Sequence, residues 1–431
     1  METSDSVAKD REIPLWGATV CAHAVEGADF HADWWRWEQG AGHIQGGDTS
    51  ERAAAHFERH GDDLALAAKL GLNVLQYSLS WARVMPEPGE IDDDAVRHYT
   101  TVFKNLVTRG LRPIAVLQEH SLPAWFSQRG AWEHPDATAD FAAYVDAVYG
   151  AIGGYCEDWI PHMEPLLWLS MAYGERCWPP PTGHGRPSRG MDGLAKAHLA
   201  AFRILKSASP KNQVAVSLYV PHVYPLDPYS PWDARAAEHR RRWFTHRYVK
   251  TLRAAADGAS PFDFVALSCP GKLGIHAAPW RIRNGFAQYE RVPGEPCAPD
   301  QTEPDWASTE ELIRSVGDWG VPLLLTGAGI ATEDDGERCH HLLDQIDGLL
   351  RLRKEGLSIR GYCYRSFLDG FVWHHGYGQR YGLVHIDRDT LTRTPNPSAF
   401  LYQDIIREQK IRPGAVTRFA PDWQSPHVEH H

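Results

Sequence analysis

The chain has 431 residues, of which 43% are hydrophobic and 23% charged, the make-up of an ordinary folded protein and not of a disordered or fibrous one. Its net charge of -11 argues against nucleic acid or an anionic membrane as the main partner, and no stretch approaches the ~20 apolar residues that cross a bilayer. Seven cysteines without CxxC spacing read as reduced thiols, and the opening Met1 to Ser6 has neither a basic region nor an apolar run, so a cytoplasmic protein is expected.

Short apolar runs alternate with longer helical patterns from end to end. Strands are expected at residues 16–22, 74–78, 114–118, 159–162, 214–219, 264–269, 323–326 and 362–365. Between them, helical spacing covers residues 53–70, 92–109, 137–152, 194–207, 232–256, 308–319 and 336–355. Eight strands with intervening helices imply an α/β fold with a parallel sheet, closed into a (β/α)8 TIM barrel. No internal repeat or low-complexity linker divides it, so residues 1–426 read as a single domain. The Pro- and Gly-rich pieces 179–190 and 285–304 read as long loops at the barrel mouth. The final residues 427–431, His-Val-Glu-His-His, look like a tag remnant and are set aside. With 34 Arg against 10 Lys and abundant Ala, Gly and Asp, the composition fits a GC-rich bacterial gene.

Chemistry in such barrels sits just after each strand. Several motifs at these places occur together and in order. They are Leu15-Trp16-Gly17-Ala18 with Val25-Glu26-Gly27, Tyr77-Ser78-Leu79-Ser80-Trp81-Ala82-Arg83-Val84, and Gly130-Ala131-Trp132 followed by Trp159-Ile160 and Glu164-Pro165. The closing segment is Gly376-Tyr377-Gly378-Gln379-Arg380-Tyr381-Gly382-Leu383-Val384, then Asp387-Arg388 and Pro397-Ser398-Ala399. Over nearly the whole chain this pattern resembles glycoside hydrolase family 1, the β-glucosidase-like enzymes.

The resemblance implies retaining hydrolysis by two carboxylates, one attacking the anomeric carbon and one acting as acid and then base. It places the acid/base on Glu164 and the nucleophile at Gly327, in Thr326-Gly327-Ala328-Gly329 where the family has Thr-Glu-Asn-Gly. Glycine has no group to attack with. The departures extend around the mouth. The family's strand-2 Arg is Gln76, its first-strand Gln is Ala24, and its His-Trp pair after strand 3 is Glu119-His120. The Asn before the acid/base is Met163, and the Asn-Tyr of strand 6 is Ser268-Cys269. On strand 8 the sugar-stacking Trp is Arg365, the next Asn is Gly370 and the sugar-binding Glu is Val372; Glu164 and Trp373 are retained. So dispersed a set points to natural divergence of the site over a laboratory nucleophile mutant.

A pocket changed in this way is expected to be more apolar and wider, to reject a bare hexose and to take a larger, greasier molecule. Glu164 is expected to be a protonated acid, because burial disfavours the anion. Glu119, on the neighbouring strand end, is either its partner base or an ion-pair partner of Arg365 or His120. His120 is a candidate proton relay or a rim histidine. Arg365 suits a planar oxygen pair. Tyr219 and Gln76 are placed to orient a ligand oxygen, and Trp373 to stack on it; Met163, Val372 and Gly327 complete the binding wall. These residues suit a tailoring enzyme of secondary metabolism that dehydrates, isomerises or ketal-cyclises a polyketide-like small molecule. A glycosidase using Glu119 as displaced nucleophile, an engineered mutant and a non-catalytic binding protein are the alternatives. Metal and cofactor are not expected, since neither HExxH nor GxGxxG after a strand is present. Oligomeric state is left open.

Overall fold

A computed structural model describes residues 15–179, 186–257, 259–283, 286–289 and 305–426. Eight parallel strands form the centre: β1 (Leu15–Val20), β2 (Val74–Ser78), β3 (Arg112–Val116), β4 (Asp158–Ile160), β5 (Gln213–Tyr219), β6 (Phe264–Ser268), β7 (Leu323–Ala328) and β8 (Ile359–Tyr364). They pair in that order, and β8 returns to β1 with Leu15 opposite Gly361, closing the expected barrel as one domain. Around it lie α1 (His56–Lys69), α2 (Asp93–Thr108), α3 (Ala137–Ile152), α4 (Pro187–Ala208), α5 (Pro231–Arg242), α6 (Tyr248–Ala255), α7 (Trp306–Gly317) and α8 (Asp335–Lys354).

Strand side chains alternate between the barrel interior and the helix layer. Val74, Ile114, Val116, Ile160, Phe264, Ala266 and Leu324 belong to one buried cluster inside the barrel. Their neighbours Leu75, Tyr77, Ala115, Trp159, Val265, Leu267, Leu323 and Leu325 belong to the larger core under the helices. The same period of two carries the polar residues one layer higher, Gln76, Ser217, Ser268 and Thr326, toward the interior, where all four are buried. The floor of the mouth is therefore hydrogen-bonding, and the layer beneath it is dry.

Several expected boundaries move. The first strand ends at Val20 because Ala22–Val25 turns into a short helix, its Ala22 amide donating to Ser78 Oγ at 2.8 Å. The fourth ends at Ile160, beyond which a lone bridge joins Met163 to Glu119. The helix expected from residue 194 starts at Pro187, whose fixed φ and missing N–H suit a first turn. The helix expected over 232–256 is one run broken by a π segment at Trp243–Arg247, which separates α5 from α6. The rim also carries strands that the sequence reading left as loop: His222–Pro225 beside Lys272–Ile275, and Ala277–Arg283 beside Phe286–Tyr289. Residues 180–185 and 290–304 of the two long loops, and the segment 427–431, lie outside the described residues.

Candidate active site at the barrel mouth

A cavity of about 330 Å³ opens at the C-terminal ends of the strands. All ten candidate site residues line it: Gln76, Glu119, His120, Met163, Glu164, Tyr219, Gly327, Arg365, Val372 and Trp373, whereas Ser268 and Cys269 are buried behind it. Sequence reasoning missed Cys21, Thr19 and Trp178, which line the same space. Period-two counting along β1 from the interior residue Leu15 reaches Thr19 and Cys21, so a signal for those two existed. Trp178 comes from a loop, where no periodicity helps.

Glu164 stands after β4 in a left-handed conformation, φ 47°, with its amide donating to Ser217 Oγ at 3.1 Å. His120, also left-handed at φ 55°, follows Glu119 after β3 and brings Nε2 to 3.4 Å from Glu164 Oε2. Its other ring nitrogen is buried without a partner among the described residues. Trp373, φ 48°, closes one side. Its ring lies parallel to His23 at 5.6 Å and meets the His120 ring edge-on at 5.2 Å. His23 is held from behind by Glu38, Nε2 to Oε1 at 2.8 Å. Three non-glycine residues at this cavity thus adopt a sparsely populated backbone region, held there by the surrounding packing.

The pKa shifts of the two carboxyls run opposite to the sequence expectation. Burial pushes the Glu164 pKa up, but the His120 hydrogen bond and charge, then the Ser268 hydroxyl and the Arg365 charge, outweigh it and leave the group below its usual range. Glu119 goes the other way. Burial raises its pKa first, and the Glu164 charge adds to this; His120, a Ser78 hydrogen bond and Arg365 only partly offset the rise. The expectation of a protonated Glu164 fails because it weighed burial without the imidazole beside it. The ion pair of His120 is with Glu164, while Arg365 sits over the Tyr381 ring at 4.3 Å and its charge favours both anions. Beside Glu119 the Cys21 thiol is raised well above its ordinary value by burial and by that carboxyl, so it is neutral.

The site is not simply emptied at its glycines. Gly327 has φ +67° and is the extra residue of a bulge in β7, since Thr326 pairs with Cys363 and Ala328 with the next residue, Tyr364. A Cβ built there would lie 2.7 Å from Ser268 Oγ and 3.2 Å from Glu164 Oε1. At Gly370 a Cβ would meet the Ala24 carbonyl oxygen at 2.5 Å. Neither glycine leaves open space beside its Cα, because backbone and neighbouring side chains fill the room a Cβ would take. Gln76 is committed to the floor: its Oε1 accepts from Thr326 Oγ1 at 2.6 Å, and its amide donates to Met163 Sδ at 3.6 Å. Ser217 Oγ also donates to that sulfur at 3.4 Å, so Met163 acts as a soft acceptor as well as an apolar wall.

Residues 10–259 and 310–411 match glycosyl hydrolase family 1. The chain belongs to that family. This family 1 member is 24% identical over 440 residues to beta-glucosidase A of Acetivibrio thermocellus, covering 91% of this chain and 97% of the relative. It is 27% identical to thermostable beta-glucosidase B of Thermobispora bispora, covering 93% and 91%. Among solved structures, the beta-glycosidase from Pyrococcus horikoshii is similar at a TM-score of 0.83 and 25% identity, covering 95% of this chain and 97% of that one. The family 1 β-glucosidase from Thermotoga maritima is similar at 0.81 and 19% identity, covering 93% and 100%. The similarity runs through the whole family 1 barrel.

No cluster of three His, Cys, Asp or Glu is arranged to hold a metal ion among the described residues, and none of their helices is long and apolar enough to cross a membrane. The adjacent histidines His374 and His375 take separate partners, Trp178 Nε1 and Gln45 Oε1.

Proposed function

We propose that this family 1 chain is a non-hydrolytic acid–base enzyme acting on a small, largely apolar molecule such as a polyketide-like metabolite. The reading rests on one observation: two carboxyls line one cavity with their pKa values displaced in opposite directions, Glu119 upward and Glu164 downward, while the tip of β7 offers no carboxylate. The upward shift suits Glu119 to the acid role and the downward shift suits Glu164 to the base role, with both carboxyls lining the space of one ligand. Glu164 takes a proton from carbon or hydroxyl, Glu119 delivers one to a leaving oxygen or, in double-bond migration, to the receiving carbon, and His120 steadies the anion. Loss of water, double-bond migration and ketal closure each need this pair and no covalent intermediate. Trp373, Val372 and Met163 supply the apolar contact surface, with Tyr219 and Arg365 as polar handles.

Hydrolysis is the activity of the named relatives, and a displaced nucleophile on Glu119 is the way this chain would retain it. The raised pKa of Glu119 disfavours that role, because the attacking group must be an anion. A laboratory replacement of Glu by Gly327 is disfavoured by the bulge and the positive φ, which belong to a backbone adapted to glycine.

The test is comparative metabolite profiling of the source organism carrying Glu164→Gln or Glu119→Gln in place of the natural gene. The expected result is accumulation of a precursor that is isomeric with the wild-type product or differs from it by one water. Unchanged metabolites in both strains would favour a non-catalytic binding protein. In vitro, turnover of an aryl β-glucoside by the purified wild type, abolished by Glu119→Gln, would overturn the proposal in favour of hydrolysis.

A further inference from the structure

A basic stripe lies outside the cavity, on the helix run that follows β5. Between Pro231 and Arg253 the sequence carries seven Lys or Arg and two carboxylates, in a chain whose net charge is -11. Asp233 and Arg240 are buried and paired with His276 and Glu175, which leaves six exposed basic residues and Glu238 at the surface. Trp232, Arg235, His239, Arg242, His246 and Lys250 recur at steps of three and four, which places them on one face across α5, the π segment and α6. All six are exposed. The stripe runs about 27 Å, the length of a helix of roughly 18 residues. At its upper end the large apolar side chains Leu226, Tyr229 and Trp232 stand 54%, 93% and 60% exposed. At its lower end Arg242, His246, Arg247 and Lys250 border a groove with Ala254 and Ala255 among its lining residues.

We propose that this stripe is a docking surface for an acidic amphipathic helix of a partner protein. Exposed Trp, Tyr and Arg in one patch are the residue types on which protein interfaces concentrate their energy. The carboxylates at the stripe are Asp227 at its upper end, Glu238, bonded to Arg241 and Arg242, and Asp192 at the groove edge, fewer than its basic residues. An extended polyanion or an anionic bilayer would be repelled by the rest of a chain of this charge, whereas one acidic helix matches a stripe one helix wide. The surface also adjoins the site. Phe244, on the inner side of the same helix run, packs against Tyr219 in the cavity wall at 5.7 Å. A partner seated here is next to the mouth, although its binding does not depend on which reaction the cavity runs.

The probe is a fluorescein-labelled helical peptide of about 20 residues built from Glu, Leu and Ala, titrated with the whole protein by fluorescence anisotropy. The expected result is saturable binding that weakens about tenfold or more as salt screening shortens the Debye length from ~30 Å to ~3 Å. Binding is lost in Arg235→Glu/Arg242→Glu/Lys250→Glu, weakened several-fold in Trp232→Ala and unchanged in Lys104→Glu on α2. All these positions are exposed, and an unchanged thermal midpoint confirms that each variant is folded. The same peptide with Lys in place of Glu is not bound. Absence of binding, binding indifferent to the triple reversal, or tighter binding of single-stranded DNA or phosphatidylglycerol vesicles by the same residues would overturn the proposal.

Discussion

At the residue scale, one distance sets the chemistry: His120 Nε2 to Glu164 Oε2 at 3.4 Å. It lowers the Glu164 pKa, while burial and the Glu164 charge raise that of the neighbouring Glu119. Catalysis through an ionised Glu164 and a protonated Glu119 therefore has a bell-shaped pH dependence. Its acid limb lies below the ordinary carboxylate range and its alkaline limb above it. Glu119→Gln should abolish the alkaline limb and lower the rate by about 10²–10⁴-fold, and His120→Gln should move the acid limb upward, both read from kcat/KM against pH. The sequence told which residues gather here, because strand ends and family motifs fix their places. It did not tell the protonation roles. Those depend on an imidazole approach and on the Ser268 hydroxyl, neither of which is visible in spacing.

At the scale of elements, the barrel strands were legible because buried parallel strands are short, continuous apolar runs. The rim strands were not, since pairs as brief as His222–Pro225 with Lys272–Ile275 carry too few residues to set a period. The break in the helix over 232–256 was hidden for a related reason: a π segment inserts one residue and leaves composition unchanged. Glycines within helices separate packing from propensity. In α4 a Cβ on Gly193 would stand 1.8 Å from the Trp132 carbonyl oxygen, whereas in α1 a Cβ on Gly61 meets nothing within 4 Å. Gly193→Ala should cost about 1–3 kcal/mol, as over-packing does, while Gly61→Ala should gain about 0.5–1 kcal/mol, both measured by urea titration.

At the scale of the whole molecule, buried acids behind the mouth shape stability. Burial raises the Asp33 pKa to about 7, despite hydrogen bonds from Leu122 N–H and Ser127 and the nearby His23 charge. Folded Asp33 thus keeps a proton that the unfolded chain releases near its ordinary pKa of about 3.9. Its effect on stability falls as pH rises from about 4 to 7. Asp33→Asn, which keeps the acceptor for Leu122, should flatten the dependence of unfolding free energy on pH across that window; an unaltered slope would contradict the assignment. Asp63 acts in the opposite sense. Burial raises its pKa, but His56 and Arg393 lower it further, so its contribution is lost only as pH falls below the carboxylate range.

The bulge at Gly327 also bears on history. Glycine and glutamate codons differ by a single base, yet Gly327→Glu would force a side chain into positive φ and against Ser268. A loss of about 1–3 kcal/mol in chemical denaturation, with no gain of aryl glucosidase activity, is the expected result. Regaining a carboxylate at this position therefore takes more than one base change, because the backbone around residue 327 and the Ser268 side chain must give way with it.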